Sequence, residues 1–244
     1  MTRPINLGGR TVLVAGASSG IGRAIALAAA DAGARVCLFA RDGARLDEVQ
    51  RAIAASSGEA FAIAGDATNP EAAALAVRRA VERFGGVDVL VNSVGTNVRN
   101  RALTALTMET WQELIANNLD AAYVLTQAVL PVFRERRAGL LLHVSSGAAK
   151  RADASGVGYQ AAKAGLVGLA HGTMEEEREH GVRVTVLFPG LTDTPLLNRR
   201  PTPPTPEMRA RALQPEDVAF LCLAVMALPS RAYVPEVLLF PSLT

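Results

Sequence analysis

Short apolar runs alternate along this chain with longer segments in which apolar residues recur at helical spacing. Continuous apolar runs are typical of strands buried on both faces of a parallel sheet, and the longer segments are typical of amphipathic helices. The pattern predicts strands at residues 11–15, 35–40, 61–64, 87–92, 140–145, 183–188 and 237–240. It predicts helices up to residue 32 and at residues 44–56, 70–84, 107–137, 158–180 and 215–228.

Strands and helices that alternate this regularly imply right-handed crossovers. We therefore expect an α/β fold, a Rossmann-type doubly wound parallel sheet of about seven strands, in a single domain over residues 1–244. Pro131 is expected to kink or end the long helix. The proline-rich segment 191–206 is expected to be a mobile loop. Because ligands bind beyond the carboxyl ends of such strands, residues 191–214 are predicted to form a lid over the substrate.

Composition narrows the possible functions. Half of the 244 residues are hydrophobic, and 25 basic and 23 acidic residues leave a net charge of +2. No basic stripe indicates nucleic acid binding, and no apolar run reaches the roughly 18 residues of a membrane span. Neither partner is expected. Four arginines are expected to decorate a solvated loop, namely Arg199, Arg200, Arg209 and Arg211. Cys37 and Cys222 are interpreted as core residues without a disulfide, and with no apolar N-terminal signal region the protein is expected to be cytoplasmic.

A glycine-rich turn separates the first strand from the first helix. It reads Gly16-Ala17-Ser18-Ser19-Gly20-Ile21-Gly22. Glycines at this place let the backbone turn tightly and approach a pyrophosphate that rests on the helix N-terminus. The first five residues also fit G-x-S-x-G, the nucleophile elbow of hydrolases. That alternative is disfavoured because an elbow needs earlier strands to supply the oxyanion donors, and the turn follows the first one.

Tyr159 and Lys163 lie four residues apart, so on a helix their side chains share one face. An ammonium beside a phenol favours the phenolate, and we expect it to lower the pKa of Tyr159 from its usual value of about 10. Such a tyrosine can exchange a proton with a carbonyl or hydroxyl oxygen. Ser146, thirteen positions earlier, could hold that same oxygen. The Y-x-x-x-K spacing alone is weak evidence.

Further motifs occur in a fixed order around these two. They are Asp66 after the third strand, Asn92-Ser93-Val94-Gly95, Asn118 seven residues after Trp111, and Pro189-Gly190 with Thr194. Together with the glycine turn, Ser146, Tyr159 and Lys163, they resemble the short-chain dehydrogenase/reductase family over essentially the whole chain. Within that family the likeness is to NADP-dependent carbonyl and 3-oxoacyl-carrier-protein reductases. Two departures are Ala15 in place of a threonine, and a C-terminus without the usual TG and DGG elements.

The resemblance implies hydride transfer between a nicotinamide and a carbonyl or secondary alcohol substrate. Tyr159 would be the acid/base and Ser146 would polarise the substrate oxygen. Lys163 would lower the tyrosine pKa and hold the nicotinamide ribose. Asn118 would anchor a water that links Lys163 to solvent. Asn117 and Ser145 are the neighbouring rivals of Asn118 and Ser146.

The resemblance also implies a set of cofactor-binding residues. They are Gly16, Ser18, Ser19, Gly20, Ile21, Gly22, Arg41, Asp66, Ala67, Asn92, Gly95, Tyr159, Lys163, Pro189, Gly190 and Thr194. The second strand ends in Ala40 and Arg41 rather than in an acid, and a guanidinium can pair with a 2′-phosphate. NADP is therefore expected rather than NAD, although Ser19 stands where many relatives that use NADP carry a second basic residue. Asp42 is expected to cap the following helix.

The remaining expectations concern metals, assembly and an alternative function. His143, His171 and His180 show no metal-ligand spacing, so no metal is expected, and His143 is interpreted as a core residue. The resemblance implies a homodimer or homotetramer, with small residues such as Gly165 and Gly168 allowing close helix approach. The alternative to an enzyme is a non-catalytic NAD(P)-binding regulatory protein of the same fold.

Overall fold

The structure is a computed structural model that describes residues 5–242, so the ends of the predicted domain, residues 1–4 and 243–244, lie outside it. Seven parallel strands form one sheet in the order β3-β2-β1-β4-β5-β6-β7. The strands are β1 (Thr11–Ala15), β2 (Arg35–Ala40), β3 (Glu59–Ala64), β4 (Val89–Asn92), β5 (Gly139–Val144), β6 (Val182–Pro189) and β7 (Glu236–Leu239). The predicted doubly wound α/β fold is confirmed.

Helices cover both faces of this sheet. They are α1 (Gly20–Asp31), α2 (Gly43–Ala55), α3 (Pro70–Phe84), α4 (Met108–Ile115), α5 (Ala121–Arg136), α6 (Val157–Glu177), α7 (Pro206–Arg211) and α8 (Pro215–Met226). A short 3₁₀ helix, Pro195–Arg199, lies in the segment that was expected to be irregular throughout. Asp42 caps α2 by accepting a hydrogen bond from the Arg45 backbone N–H at 3.1 Å, as predicted.

The long helix predicted over residues 107–137 is divided. A π-helical turn, Ala116–Asp120, joins α4 to α5. Pro131 lies inside α5, which continues to Arg136, so of the two outcomes expected for this proline, an end of the helix is excluded. Pro131 and Gln127 are both exposed. Pro131 has no N–H to donate to the Gln127 carbonyl four residues earlier, so water can donate a hydrogen bond to this carbonyl instead.

Alternate residues of the central strand face opposite layers of the core. Val12 and Val14 pack into the layer that contains α1 and α8, whereas Leu13 and Ala15 pack into the layer that contains α3 and α5. The two free cysteines are buried one in each layer, as predicted. No helix in residues 5–242 combines the length and the apolarity needed to cross a bilayer.

The strand order reverses between β1 and β4, which are neighbours at the centre of the sheet. The strands that follow β1 are added on one side of this pair, and the strands that follow β4 are added on the other side. At the carboxyl edge Ala15 stands opposite Phe39 of β2 on one side and Asn92 of β4 on the other. A crevice opens at such a reversal because the connections after the two strands run to opposite faces. The glycine turn follows Ala15 directly into this crevice.

Candidate active site

The glycine turn is as tight as its sequence predicts. A Cβ added to Gly22 would lie 2.2 Å from the carbonyl oxygen of Gly16, and one added to Gly16 would lie 2.7 Å from that of Ser93. Gly16 also has a φ of +82°. Ser19 precedes α1 without capping it through its side chain, and the first turn of α1 holds no acidic residue. The N–H groups at this helix start are therefore well suited to an anion.

Two clefts meet at the carboxyl edge of the sheet. The glycine-turn cleft has a volume of about 400 Å³ and the lid cleft about 260 Å³. Tyr159 and Thr194 line both. The glycine-turn cleft is also lined by Gly16, Ser18, Ser19, Gly20, Ile21, Arg41, Asp66, Ala67, Gly95 and Lys163, and the lid cleft by Ser146, Pro189 and Gly190. Most of the residues singled out in the sequence are thus brought together.

Three of the predicted residues line neither cleft, because they lie beneath the residues that do. Gly22 packs under the turn. Asn92 is buried, and its amide oxygen accepts a hydrogen bond from the Val94 N–H at 3.1 Å while its amide nitrogen lies 3.3 Å from Nδ1 of His143. Asn92 therefore holds the start of the loop after β4. Asn118 is the third.

Asn118 is buried on the π-helical turn, and its amide bonds to backbone. Its Nδ2 donates to the carbonyls of Leu114 at 2.8 Å and Thr96 at 3.0 Å, and its Oδ1 accepts from the Thr96 N–H at 3.1 Å. A Cβ added to Gly95 would lie 3.0 Å from this oxygen and 3.2 Å from Nζ of Lys163. Asn118 thus ties the loop after β4 to α4, beside the lysine. The Nδ2 of its rival Asn117 instead donates to the Glu113 carbonyl of α4 at 2.9 Å.

Tyr159 and Lys163 are both buried on one face of α6. Nζ of Lys163 lies 5.9 Å from the Tyr159 ring centroid and donates to the Val144 carbonyl at 3.1 Å. The Ser146 hydroxyl lies near enough to Tyr159 to lower the pKa of the phenol. The rival Ser145 instead donates to the Lys163 carbonyl at 2.9 Å, which fixes α6 against the end of β5. The serine beside the tyrosine is therefore Ser146.

The expected lowering of the Tyr159 pKa is wrong for this structure. Burial raises the pKa of Tyr159 to about 12, and the nearby Ser146 hydroxyl opposes this only in part. Burial likewise lowers the pKa of Lys163 to about 8. Desolvation penalises the charged form of each group, and here it outweighs the attraction that the sequence spacing suggested. At neutral pH the phenol keeps its proton and the lysine keeps its charge.

His143 is a core residue, as interpreted from its place in a strand. It is fully buried in β5, and burial with the nearby Lys163 charge lowers its pKa to about 4. None of the three histidines lines either cleft, so Ser18 has no imidazole beside it, and the hydrolase alternative finds no support. Within residues 5–242 no group of His, Cys, Asp and Glu side chains could hold a metal ion.

The end of β2 carries two basic side chains towards the glycine-turn cleft. Arg41 lies 3.9 Å from the Asp66 carboxylate, and its side chain is 66% exposed. Arg45, on the first turn of α2, lines the same cleft and lies 3.3 Å from Asp42. Arg45 was not predicted from the sequence, although its position at a helix start, four residues after Arg41, was a signal for it. Two hydrogen bonds from Thr68 hold the pKa of Asp66 below its usual value.

The arginines of the predicted lid are not all solvated decoration. Nη1 of Arg199 donates to the Thr96 hydroxyl at 2.9 Å, and the Arg199 carbonyl accepts from Arg101 at 2.6 Å. Arg209 forms an ion pair with Asp193. These contacts connect the predicted lid to the loop after β4 and connect two parts of the lid to each other. Arg199 is nevertheless exposed, as expected, whereas Arg209 is half-buried and paired, so the solvated interpretation is wrong for Arg209.

Comparisons with known proteins agree with this geometry. The family profile described as short chain dehydrogenase matches residues 10–204. The chain is 31% identical over 228 residues to a 3-oxoacyl-[acyl-carrier-protein] reductase from Synechocystis sp., with 92% of each chain covered.

Solved structures give the same picture. A metagenomic short-chain oxidoreductase in complex with NADP is 35% identical with a TM-score of 0.83, covering 97% of this chain and 99% of that one. A 3-ketoacyl-(acyl-carrier-protein) reductase from Brucella melitensis, complexed with NADH, is 27% identical with a TM-score of 0.87, covering 97% and 99%. The profile match and these relatives together establish that the chain belongs to the short-chain dehydrogenase family.

Proposed function

We propose that the protein is an NADP-dependent oxidoreductase that interconverts a carbonyl compound and a secondary alcohol, with Tyr159 as the acid/base. The observation that carries this proposal is that Tyr159 lines both clefts and shares the lid cleft with Ser146. A substrate in the lid cleft can therefore place its oxygen against both hydroxyls. The nicotinamide cofactor occupies the glycine-turn cleft and, when bound, supplies or accepts the hydride.

The residues of the glycine-turn cleft fit such a cofactor. The turn leaves no room for a Cβ at Gly16 or Gly22, and the start of α1 offers backbone N–H groups to a pyrophosphate. Lys163 lines the cleft from below and can hold the ribose hydroxyls. Thr194 reaches the junction of the clefts, where it can contact the carboxamide.

In the reductive direction Tyr159 gives its proton to the carbonyl oxygen. Because burial raises the pKa of this phenol to about 12, it is protonated and ready to act as the acid. Ser146 donates a hydrogen bond to the same oxygen as charge develops there. The charged Lys163 stabilises the phenolate that remains, and Asn118 acts as a positioning residue by fixing the loop beside that lysine.

The preference for NADP rests on charge at the end of β2. The strand ends in Ala40, so it offers no carboxylate to a ribose 2′-hydroxyl, and Arg41 and Arg45 both line the cleft. Two guanidinium groups favour a 2′-phosphate. Many relatives that use NADP carry a second basic residue at the position of Ser19. In this chain Arg45 supplies a second basic side chain instead. The similar structures in complex with NADP and with NADH show that the family accommodates either cofactor.

The test combines binding with turnover. Fluorescence titration with NADPH and NADH measures cofactor binding, and nicotinamide absorbance follows a panel of ketones, aldehydes and secondary alcohols. We expect NADPH to bind more tightly and at least one carbonyl class to be reduced. Binding without turnover on any of them would indicate the regulatory alternative, and failure of both cofactors to bind would contradict the proposal altogether.

A further inference from the structure

The lid cleft carries an excess of positive charge. Three arginines line it, Arg101, Arg151 and Arg200, and the one acidic residue among its lining residues is Asp153. In the described part of the chain none of these arginines has a carboxylate within ion-pair distance, although other arginines of the protein do. Asp153 is exposed and already accepts a hydrogen bond from the Ser155 N–H at 2.8 Å.

Arg101 is the buried member of the three, with 8% of its surface exposed. Its Nε donates to the Val98 carbonyl at 2.9 Å and its Nη2 to the Arg199 carbonyl at 2.6 Å. Within residues 5–242, Nη1 has no hydrogen-bond partner. These two bonds fix the plane of the guanidinium and leave donors directed at the cleft that it lines.

A buried guanidinium without a counter-ion is costly to the fold. Burial and the neighbouring Arg200 charge lower the pKa of Arg101 more than the nearby Asp153 and Tyr159 raise it, so its positive charge is only partly compensated. The same guanidinium favours the phenolate of Tyr159. An anionic group that entered the cleft would relieve this imbalance, and it would do so close to the reacting tyrosine.

Another part of the lid cleft is lined by apolar side chains. Phe240 packs so closely on Gly147 and Gly190 that a Cβ at those positions would lie 2.6 and 2.8 Å from its ring. Leu196 and Leu197 of the predicted lid line the cleft as well. With a volume of about 260 Å³, the cleft suits a small molecule that has one charged end and a short apolar end.

We propose that the substrate is an oxo acid whose carboxylate binds Arg101 and Arg200 and whose apolar end packs against Phe240 and Leu196. This rests on the proposed function. Because Arg101, Arg200 and Tyr159 line the same cleft of about 260 Å³, the carboxylate lies within a few bonds of the carbonyl, as in α-oxo and β-oxo acids. The carbonyl carbon gains a hydride from the reduced nicotinamide and its oxygen gains a proton from Tyr159. The carboxylate is unchanged, and the product is a hydroxy acid.

The test compares each short α-oxo or β-oxo acid with its uncharged methyl ester, using NADPH. The wild type is expected to favour the acid in kcat/KM by roughly ten- to a hundredfold, the range for a hydrogen bond to a charged group. Arg101→Gln and Arg200→Gln should each reduce this ratio, and Arg211→Gln, an exposed arginine of α7 outside both clefts, should retain it. Because acid and ester are compared within one variant, the ratio is unaffected by any general loss of activity that follows from losing the Arg101 hydrogen bond to Arg199.

A second readout does not depend on turnover. Short saturated carboxylic acids should inhibit competitively against the carbonyl substrate, and Arg101→Gln should weaken that inhibition. Equal use of acid and ester by the wild type would overturn the inference and leave the proposed function intact, as would a preference for hydroxyacetone phosphate over the oxo acids. If no carbonyl compound is reduced although NADPH binds, the proposed function fails and this inference fails with it.

Discussion

At the scale of single residues, the proposed chemistry depends on a phenol and an amine that burial pushes in opposite directions. The pKa of Tyr159 rises to about 12 and that of Lys163 falls to about 8. Both shifts favour the neutral form of the group. At neutral pH the proton needed for reduction is therefore already in place on the tyrosine.

Replacing Tyr159 with phenylalanine should remove the proton donor and leave the cleft nearly unchanged in shape. We expect reductive kcat to fall by roughly a hundred- to ten-thousandfold, as for the loss of a general acid. Binding of NADPH, measured by fluorescence titration, should stay close to wild type. Tyr233→Phe is the matched control because Tyr233 lines neither cleft. Robust turnover by Tyr159→Phe would refute the assigned role.

The pH dependence of reduction should report Lys163. A lowered pKa of about 8 means that the ammonium predominates below this pH and is lost above it. We therefore expect reductive kcat/KM to fall as pH rises through about 8, well before the phenol of Tyr159 loses its proton. Lys163→Arg should move the fall to higher pH because a guanidinium keeps its charge there. A profile that stays level through pH 8 in the wild type would contradict this use of the lysine.

Cofactor choice should depend on Arg41. Arg41→Ala should raise the dissociation constant of NADPH by roughly tenfold and leave NADH nearly unchanged, since the phosphate contact is charge-assisted. The effect lies at the low end because the side chain is 66% exposed and Arg45 remains. Ala40→Asp should invert the preference, because it repels the phosphate and offers the ribose an acceptor. Tighter NADH binding by the wild type, or equal weakening of both cofactors by Arg41→Ala, would make Arg41 a mere surface charge.

At the scale of elements, the buried strands were the most predictable part of the sequence. β1 and β2 have the predicted bounds, because a strand covered on both faces must be apolar throughout. The division of the long helix into α4 and α5 was not predictable in the same way. It coincides with Asn118, which bonds to Thr96 on another segment, and local periodicity carries no information about such a contact.

In the candidate site, too, some residues were predictable from the sequence and others were not. Ser146, Tyr159 and Lys163 were found because a strand end and one helix face bring them together at fixed spacing. Arg101 and Phe240 were missed because they reach the lid cleft through the path of loops and of the C-terminal segment. Residues far apart in sequence come together there, and no local sequence pattern predicts such a contact.

The tight packing of the glycine turn leads to a prediction for this element. Gly22→Ala places a methyl group 2.2 Å from the Gly16 carbonyl oxygen, so the turn must open. We expect weaker binding of both nicotinamide cofactors, by tenfold or more on the order expected for a displaced pyrophosphate contact, and a lower Tm. Gly43→Ala is the control, since its methyl would meet only Ala64 at an ordinary 3.5 Å. If the two variants bind NADPH equally well, the close packing at Gly22 is unimportant for the cofactor.

At the scale of the whole molecule, one face of α6 is not covered by any other segment within residues 5–242. Exposed small residues follow one another at helical spacing, namely Ala161, Ala164, Gly168 and Gly172, and no atom lies within 4 Å of a Cβ added to either glycine. Gly165, which was expected to share this role, packs against Leu119 of its own chain instead. Tyr123 of α5 is also exposed. We propose that this face pairs with the same face of a second copy.

Gly168→Trp tests that assembly with little risk to the fold, because the new side chain enters open space. A bulky ring would keep two α6 helices from approaching as closely as small residues allow. We expect the wild type to sediment as a dimer or larger at micromolar concentration and Gly168→Trp to shift towards the monomer. Ala54→Trp, at an exposed position of α2, is the control and should assemble as the wild type does. A wild-type monomer would end the proposal, and a Gly168→Trp variant that assembles as tightly as Ala54→Trp would move the interface to another face.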